Sequence, residues 1–443
     1  MYSIDKKRLY AILQSVKQEQ DRKMTIEQLI KISISKIADR FEAECDNYPY
    51  INTKFDILSG RDFGANDEPF RRKDCIYSWI QGRGIESLAK HISYFRETGE
   101  DKLAERLTSM LHSVVVEMEK LRALNNGRLP FAMRPDGSSF FPRENYNANY
   151  SDLFFSKGLF AASQILKDAE LQRESESLFS FVTDAIEKGE FHTDQQCFDP
   201  KNKVVFVPGK FPQGPRMIAL GGIADLIEAQ AENEKWINTA ERFISFILDH
   251  HINSGQYDFC QKWDFIESVD ASAQPWMDND QLFCDPGHAL EFIGLAGKCL
   301  MVLKKQKRCS ELIEHAGTVL PQVFTHVFDY GFNPIAGGIC KGYDLTERRI
   351  INSDMPWWNL PETVRAGFIL GTLYPENNKT PGILLRSGRA LQAFIQGYLQ
   401  PNGFGCQTRN ARGEIINVIP AVSDADPGYH TNLSLMDALK LFQ

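Results

Sequence analysis

Two stretches of this chain, DPGHALE at 285–291 and DPGYHTN at 426–432, each follow Asp-Pro-Gly with a histidine, His288 in the first and His430 in the second. Pro-Gly after an acidic residue suits a helix start. The residues next to it therefore sit on the first helical turn, where His288 and Glu291, three apart, share a face. An imidazole with an ordinary pKa of about 6.5 can both take and give a proton near neutrality. A carboxylate beside it orients the ring and tunes its basicity. Two such histidines on opposite sides of one carbon could remove a proton from one face and return one to the other.

Other stretches carry matching chemistry. In YSWIQGRG, Gln81 and Arg83 flank Gly82 beside Trp79; the glycine permits close backbone approach, and Arg83 could stabilise an enediolate. In DMPWWNLPETVRAGF, Trp357 and Trp358 stand in tandem, and Glu362 lies four residues after Trp358 on the same face. Indole faces suit the apolar side of a sugar ring, although a buried aromatic pair is the plainer reading. Ser151 or Asp152 reads as a helix N-cap, and Arg216 stands near another start, with Gly221-Gly222 thinning the helix behind it. This chemistry calls for no metal, nicotinamide or other cofactor.

These groups are positioned by a period. Gln81, Asp152, Arg216, His288, Trp358 and His430 follow one another at intervals of 71, 64, 72, 70 and 72 residues. Helical periodicity is visible near 24–44, 76–96, 101–123, 151–167, 170–188, 215–231, 234–251, 287–304, 308–327, 358–372, 385–399 and 430–442. Every second helix thus opens on an unusual group. Helical hairpins of this size cannot bury their faces singly and must stack. Six that close on themselves make an all-α (α/α)6 barrel with the helix starts at one mouth; an open solenoid is the alternative. Turn-rich segments such as NNGRLPFAMRPDGSSFFPREN and LQPNGFGCQTRNARGEIIN read as small β-hairpins in the loops. A single barrel domain over 1–443 is expected, with residues 1–50 an N-terminal helical extension or first outer helix.

Composition narrows the classes. At 443 residues with 43% hydrophobic and 24% charged residues, the chain suits a globular protein with a large core. A net charge of −8 and the lack of any basic block argue against a nucleic-acid or anionic-membrane surface. No apolar run reaches membrane-spanning length, and the charged opening MYSIDKKRLYAILQSVKQEQDRK is no secretory signal. Nine cysteines, scattered singly without a CxxC pair, read as reduced thiols of a cytoplasmic protein.

The motifs WIQGR (79–83), PGHALE (286–291), WWNLPETVRA (357–366) and YH (429–430), with GRLPFAMRPDG (127–137) followed by YSDLFF, resemble the N-acylglucosamine 2-epimerase superfamily from about residue 70 onward. The resemblance implies an (α/α)6 barrel and a sugar 2-epimerase or aldose–ketose isomerase moving a proton at C2 of a ring-opened sugar. It implies His288 and His430 as the acid/base pair and Arg83 on the C1 or C2 oxygens. Glu291 and Glu362 would contact hydroxyls or support the histidines, Trp357 or Trp358 would pack on the sugar, and Gln81 would belong to the binding set. A homodimer is the assembly it suggests. Leu433 stands where N-acetylhexosamine epimerases carry arginine, Met355 where they tend to carry lysine, and ALGGIAD where disaccharide epimerases show His and Asn, so the sugar is open. Two rivals are a glycoside hydrolase using acids among Asp270, Asp278, Asp280 and Asp285, and a sugar-binding protein without catalysis.

Overall fold

The computed structural model describes residues 26–142, 148–196, 198 and 205–441. Twelve helices succeed one another among them: α1 (Ile26–Glu44), α2 (Ser78–Glu97), α3 (Asp101–Leu124), α4 (Tyr150–Leu166), α5 (Ala169–Lys188), α6 (Gly214–Ala229), α7 (Glu234–His250), α8 (Pro286–Lys305), α9 (Ser310–Gly331), α10 (Asn359–Leu373), α11 (Thr380–Gly397) and α12 (Thr431–Lys440). The even-numbered helices form an inner ring: α2 packs on α4, α4 on α6, and so round through α8, α10 and α12 back to α2. The odd-numbered helices lie outside. The ring closes as an (α/α)6 barrel, not a solenoid, and α1 supplies the outer layer beside α12 and α3. The first 25 residues of the expected N-terminal extension lie outside the described residues.

Residue patterns explain the two layers. The outer helix α7 buries Trp236, Ile237, Ala240, Phe243, Ile244, Ile247 and Leu248, a single stripe at three- and four-residue spacing. The inner helix α6 is buried all round, from Met217 through Ala224 without a break. Glycines let inner helices touch: a Cβ on Gly82 would lie 2.7 Å from the Phe154 carbonyl carbon, and one on Gly158 would lie 2.5 Å from the Gly82 oxygen. Gly221 and Gly222 make room for the Lys157 side chain, so that glycine pair serves packing.

Five inner helices are entered from a two-residue strand, among them Ile76–Tyr77, Phe283–Cys284 and Met355–Pro356. The expected hairpins are present in miniature, with Met133 bridged to Ser139 and Arg409 to Ile415. Gly342–Asp344 pairs on one side with Phe283–Cys284 and on the other with Arg349–Asn352, and this sheet brings Lys341 to the start of α8. Two local expectations change. The cap of α4 is Asn149, whose side chain accepts from the Asp152 N–H at 2.9 Å, rather than Ser151 or Asp152. Helix α11 begins at Thr380, before the expected 385, because Pro381 falls at the first helical positions, where its missing N–H costs nothing.

Candidate active site

The starts of the inner helices converge on a cavity of about 550 Å³ lined by Arg83, His288, Glu291, Trp357, Trp358 and His430, with Trp79, Tyr150, Glu267 and Lys341 completing the wall near them. Each histidine is held through Nδ1 by a glutamate. His288 Nδ1 lies 2.8 Å from Glu267 Oε1, and His430 Nδ1 lies 2.9 Å from Glu362 Oε1. A carboxylate accepts there, so Nδ1 carries the hydrogen and Nε2 is the atom left for proton transfer. The Trp358 ring stands against both imidazoles, 5.4 Å from His288 at 27° and 5.7 Å from His430 at 36° between centroids and planes. The indole expected as a sugar platform thus also packs near both imidazoles.

The surroundings of the imidazoles differ. Asp285 sits at the N-cap of α8, accepting from the Gly287 and His288 N–H groups, and its other oxygen takes the Lys341 ammonium at 2.5 Å. Burial works against a charged His288, but Asp285 and Glu267 outweigh it and raise the pKa above its ordinary value. His430 shares its partner: the second oxygen of Glu362 accepts from Arg365 Nη1 at 2.6 Å, and Glu362 is wholly buried. Glu291 Oε1 stands 3.9 Å from His430 Nδ1, and burial together with the Glu362 charge raises its pKa.

Arg83 packs its guanidinium 4.2 Å from the Phe154 ring centre and has no carboxylate within ion-pair distance among the described residues. Its Nε is buried without a hydrogen-bond partner, as are Trp357 Nε1 and Glu267 Oε2. Two donors and an acceptor without a protein partner thus belong to residues that line the cavity. Gln81 is turned away: its Oε1 accepts from the Ile51 N–H at 2.9 Å and its Nε2 donates to the Ile51 carbonyl at 3.2 Å. Both ends of that amide are used by backbone, so it anchors the segment before α2 and does not line the cavity.

Sequence reasoning missed Glu267 and Lys341. Both lie outside the helical period, in segments placed only by strand pairing, and no local signal marks them. Arg216 does line the cavity, stacked 3.9 Å over Phe246. Of the four acids weighed for hydrolysis, only Asp278 and Asp285 reach the cavity wall. Asp278 is paired with Lys210 and Asp285 with Lys341, so neither stands free as an acid or base. Glu291, Glu362 and His430 bring donor atoms within 4.8 Å of one another, a spacing that a divalent cation could use. Here His430 and Arg365 already engage the oxygens of Glu362.

Six helical hairpins closed into a ring, with imidazoles, carboxylates and indoles at the mouth, define an (α/α)6 barrel with a candidate active site at one end. The profile of the N-acylglucosamine 2-epimerase (GlcNAc 2-epimerase) family matches residues 86–431, and the chain belongs to that family. Against curated protein sequences the chain finds no match. Among solved structures it is similar to a sugar epimerase from a ruminal bacterium, with TM-score 0.68 and 13% identity over 94% of this chain and 97% of that one. It is also similar to a D-mannose isomerase, with TM-score 0.65 and 15% identity over 92% and 97%. A GH76 α-mannanase of Bacteroides thetaiotaomicron shares the fold more distantly, with TM-score 0.52 and 10% identity over 97% and 98%. Among the described residues no helix is long and apolar enough to cross a membrane.

Proposed function

We propose that this protein is a sugar 2-epimerase or aldose–ketose isomerase that moves a proton at C2 of a ring-opened sugar between His430 and His288. The observation that carries the reading is the pair of imidazoles, each fixed through Nδ1 by a buried glutamate and each standing against Trp358 in one cavity. His288, whose protonated form is favoured by Asp285 and Glu267, is the donor. His430, whose glutamate spends part of its charge on Arg365, is the acceptor, and the roles exchange in the reverse direction. Removal of the C2 proton puts negative charge on the C1 and C2 oxygens, and the otherwise unpaired Arg83 guanidinium would meet it. Family membership supports carbohydrate epimerisation or isomerisation. The hydrolase reading is not favoured: of the aspartates weighed for it, Asp278 and Asp285 are held in ion pairs, and Asp270 and Asp280 do not line the cavity.

The test is deuterium exchange. The protein is incubated in D2O with N-acetylmannosamine, N-acetylglucosamine, mannose, glucose, fructose and a disaccharide, and proton NMR follows the C2–H signal, or for fructose, which has none, the C1 hydrogens. Exchange with at least one sugar, reduced about 10²- to 10⁴-fold by His288→Ala or His430→Ala, is the expected result. Cleavage of an oligosaccharide without C2 exchange would sink the reading.

A further inference from the structure

Beneath His430 the site continues in a direction that proton transfer at C2 does not by itself require. Glu362 Oε1 holds the imidazole, and Glu362 Oε2 holds Arg365, one helical turn along α10. Arg365 Nε reaches Asp437 of α12 at 3.0 Å, and Asp437 in turn meets Lys298 of α8 at 3.3 Å. The result is a line of alternating charge, imidazole, carboxylate, guanidinium, carboxylate and ammonium, tying three inner helices together under the cavity. Arg365 and Glu362 are 3% and 0% exposed, so their charges act through a medium far less screening than water.

We infer that Arg365 is a positioning residue for this reaction: it fixes Glu362 behind His430 and, with Asp437 as its counterweight, sets how readily the imidazole takes a proton. Geometry makes the case. Glu291 and Glu362 are neighbouring buried carboxyls, and two such groups resist being ionised together. Arg365 touches one of them and not the other. It therefore holds the Glu362 carboxylate in place against the Nδ1 hydrogen of His430, and leaves Glu291 without such a contact. The raised pKa of Glu291 and the depressed pKa of Asp437, which Lys298 and Arg365 bring about against the effect of burial, agree with that division. Other charged or titratable groups around the network are Arg83 and Lys90 from α2, His288 from α8, and Asp426 and Tyr429 from the segment before α12. None of these touches Glu362 Oε2.

The inference takes its catalytic meaning from the proposed C2 chemistry, but it is tested independently by NMR titration of His430 in the full-length, imidazole-labelled protein. Removing a cation favours protonation, so Arg365→Met is expected to raise the His430 midpoint by about one pH unit, the effect of a unit charge a few ångströms away at intermediate dielectric. Removing an anion does the reverse, so Asp437→Asn, which spares the Arg365–Glu362 contact, is expected to lower it. Arg365→Lys should return the midpoint most of the way. Where a sugar shows C2 exchange, the acid limb of kcat should move with the midpoint in the same opposed directions, and KM should stay within about twofold. Arg365→Met should also lower kcat at the optimum about 10-fold. Two variants that shift the midpoint in the same direction, or not at all, would overturn the inference even if exchange is robust. Absence of exchange with every sugar would instead strike the functional reading and leave the titration to decide this one.

Discussion

At the scale of single residues, the two histidines of the cavity show how one side-chain type is given two characters. His288 lies between Glu267 and Asp285 and gains affinity for its proton, whereas His430 faces a glutamate that Arg365 also claims. The folded protein thus binds the His288 proton more tightly than the unfolded chain does. The stability this lends is complete below the ordinary imidazole pKa of about 6.5 and is lost as pH rises through the raised value. Glu267→Gln removes one of the two stabilising carboxylates. The His288 midpoint, followed by NMR, should fall toward the ordinary value, and the Tm advantage of wild type over the variant should be larger at pH 6 than at pH 9. An unchanged midpoint would refute the role given to Glu267. Gln81 teaches the opposite lesson: a polar residue at an inner-helix start, next to the arginine of the site, is consumed by the Ile51 backbone.

At the scale of elements, the barrel places its chemistry by how closely inner helices approach. Gly82 and Gly158 form a crossing at which an added methyl would meet backbone atoms at 2.7 and 2.5 Å, and backbone cannot turn aside as a side chain can. Gly158→Ala should therefore push α2 and α4 apart, at a cost of about 1–3 kcal/mol read as a lower urea midpoint. Because Arg83 follows Gly82 directly, the same shift should raise KM for whichever sugar exchanges. An alanine variant with wild-type stability and KM would show that the crossing is soft. This scale is also where the sequence was most legible. The interval of about seventy residues announced six hairpins, because each must repeat the same burial problem, and the unusual groups at inner-helix starts marked the mouth. What stayed hidden was set by pairings that short segments do not advertise. The two- and three-residue strands that deliver Glu267 and Lys341 have no periodicity to read. The contact of Arg365 with Glu362 is implicit in its three-residue spacing, but its link to Asp437 and Lys298 exists only once α8, α10 and α12 are side by side.

At the scale of the whole molecule, the ring is closed by chain segments far apart in sequence, and the closure is partly electrostatic. Helix α1 lays Leu29, Ile30, Ile34, Ile37 and Phe41 against its neighbours, and Ser33, His91 and Asn432 share a buried hydrogen-bond cluster across α1, α2 and α12. Nearby, Lys54 reaches Asp424 at 2.7 Å with both side chains 1% exposed, and the ammonium also lies 4.3 Å from the Tyr77 ring centre. Asp424 belongs to the segment that leads through Asp426 into His430, so this buried pair ties the front of the chain to the approach of a site residue. Lys54→Met keeps the apolar stem and removes the charge, leaving a carboxylate buried without its cation, at a cost of about 3–5 kcal/mol near neutrality. Burial already raises the Asp424 pKa with lysine present, and losing Lys54 would raise it further. Protonation of Asp424 relieves the unpaired charge, so the stability deficit of the variant should shrink as pH falls through that raised pKa. Chemical denaturation of both proteins between pH 5 and 8 measures it. A deficit that is the same at every pH would mean that Lys54 acts by packing alone, and that the ring is closed by its apolar surfaces without help from this pair.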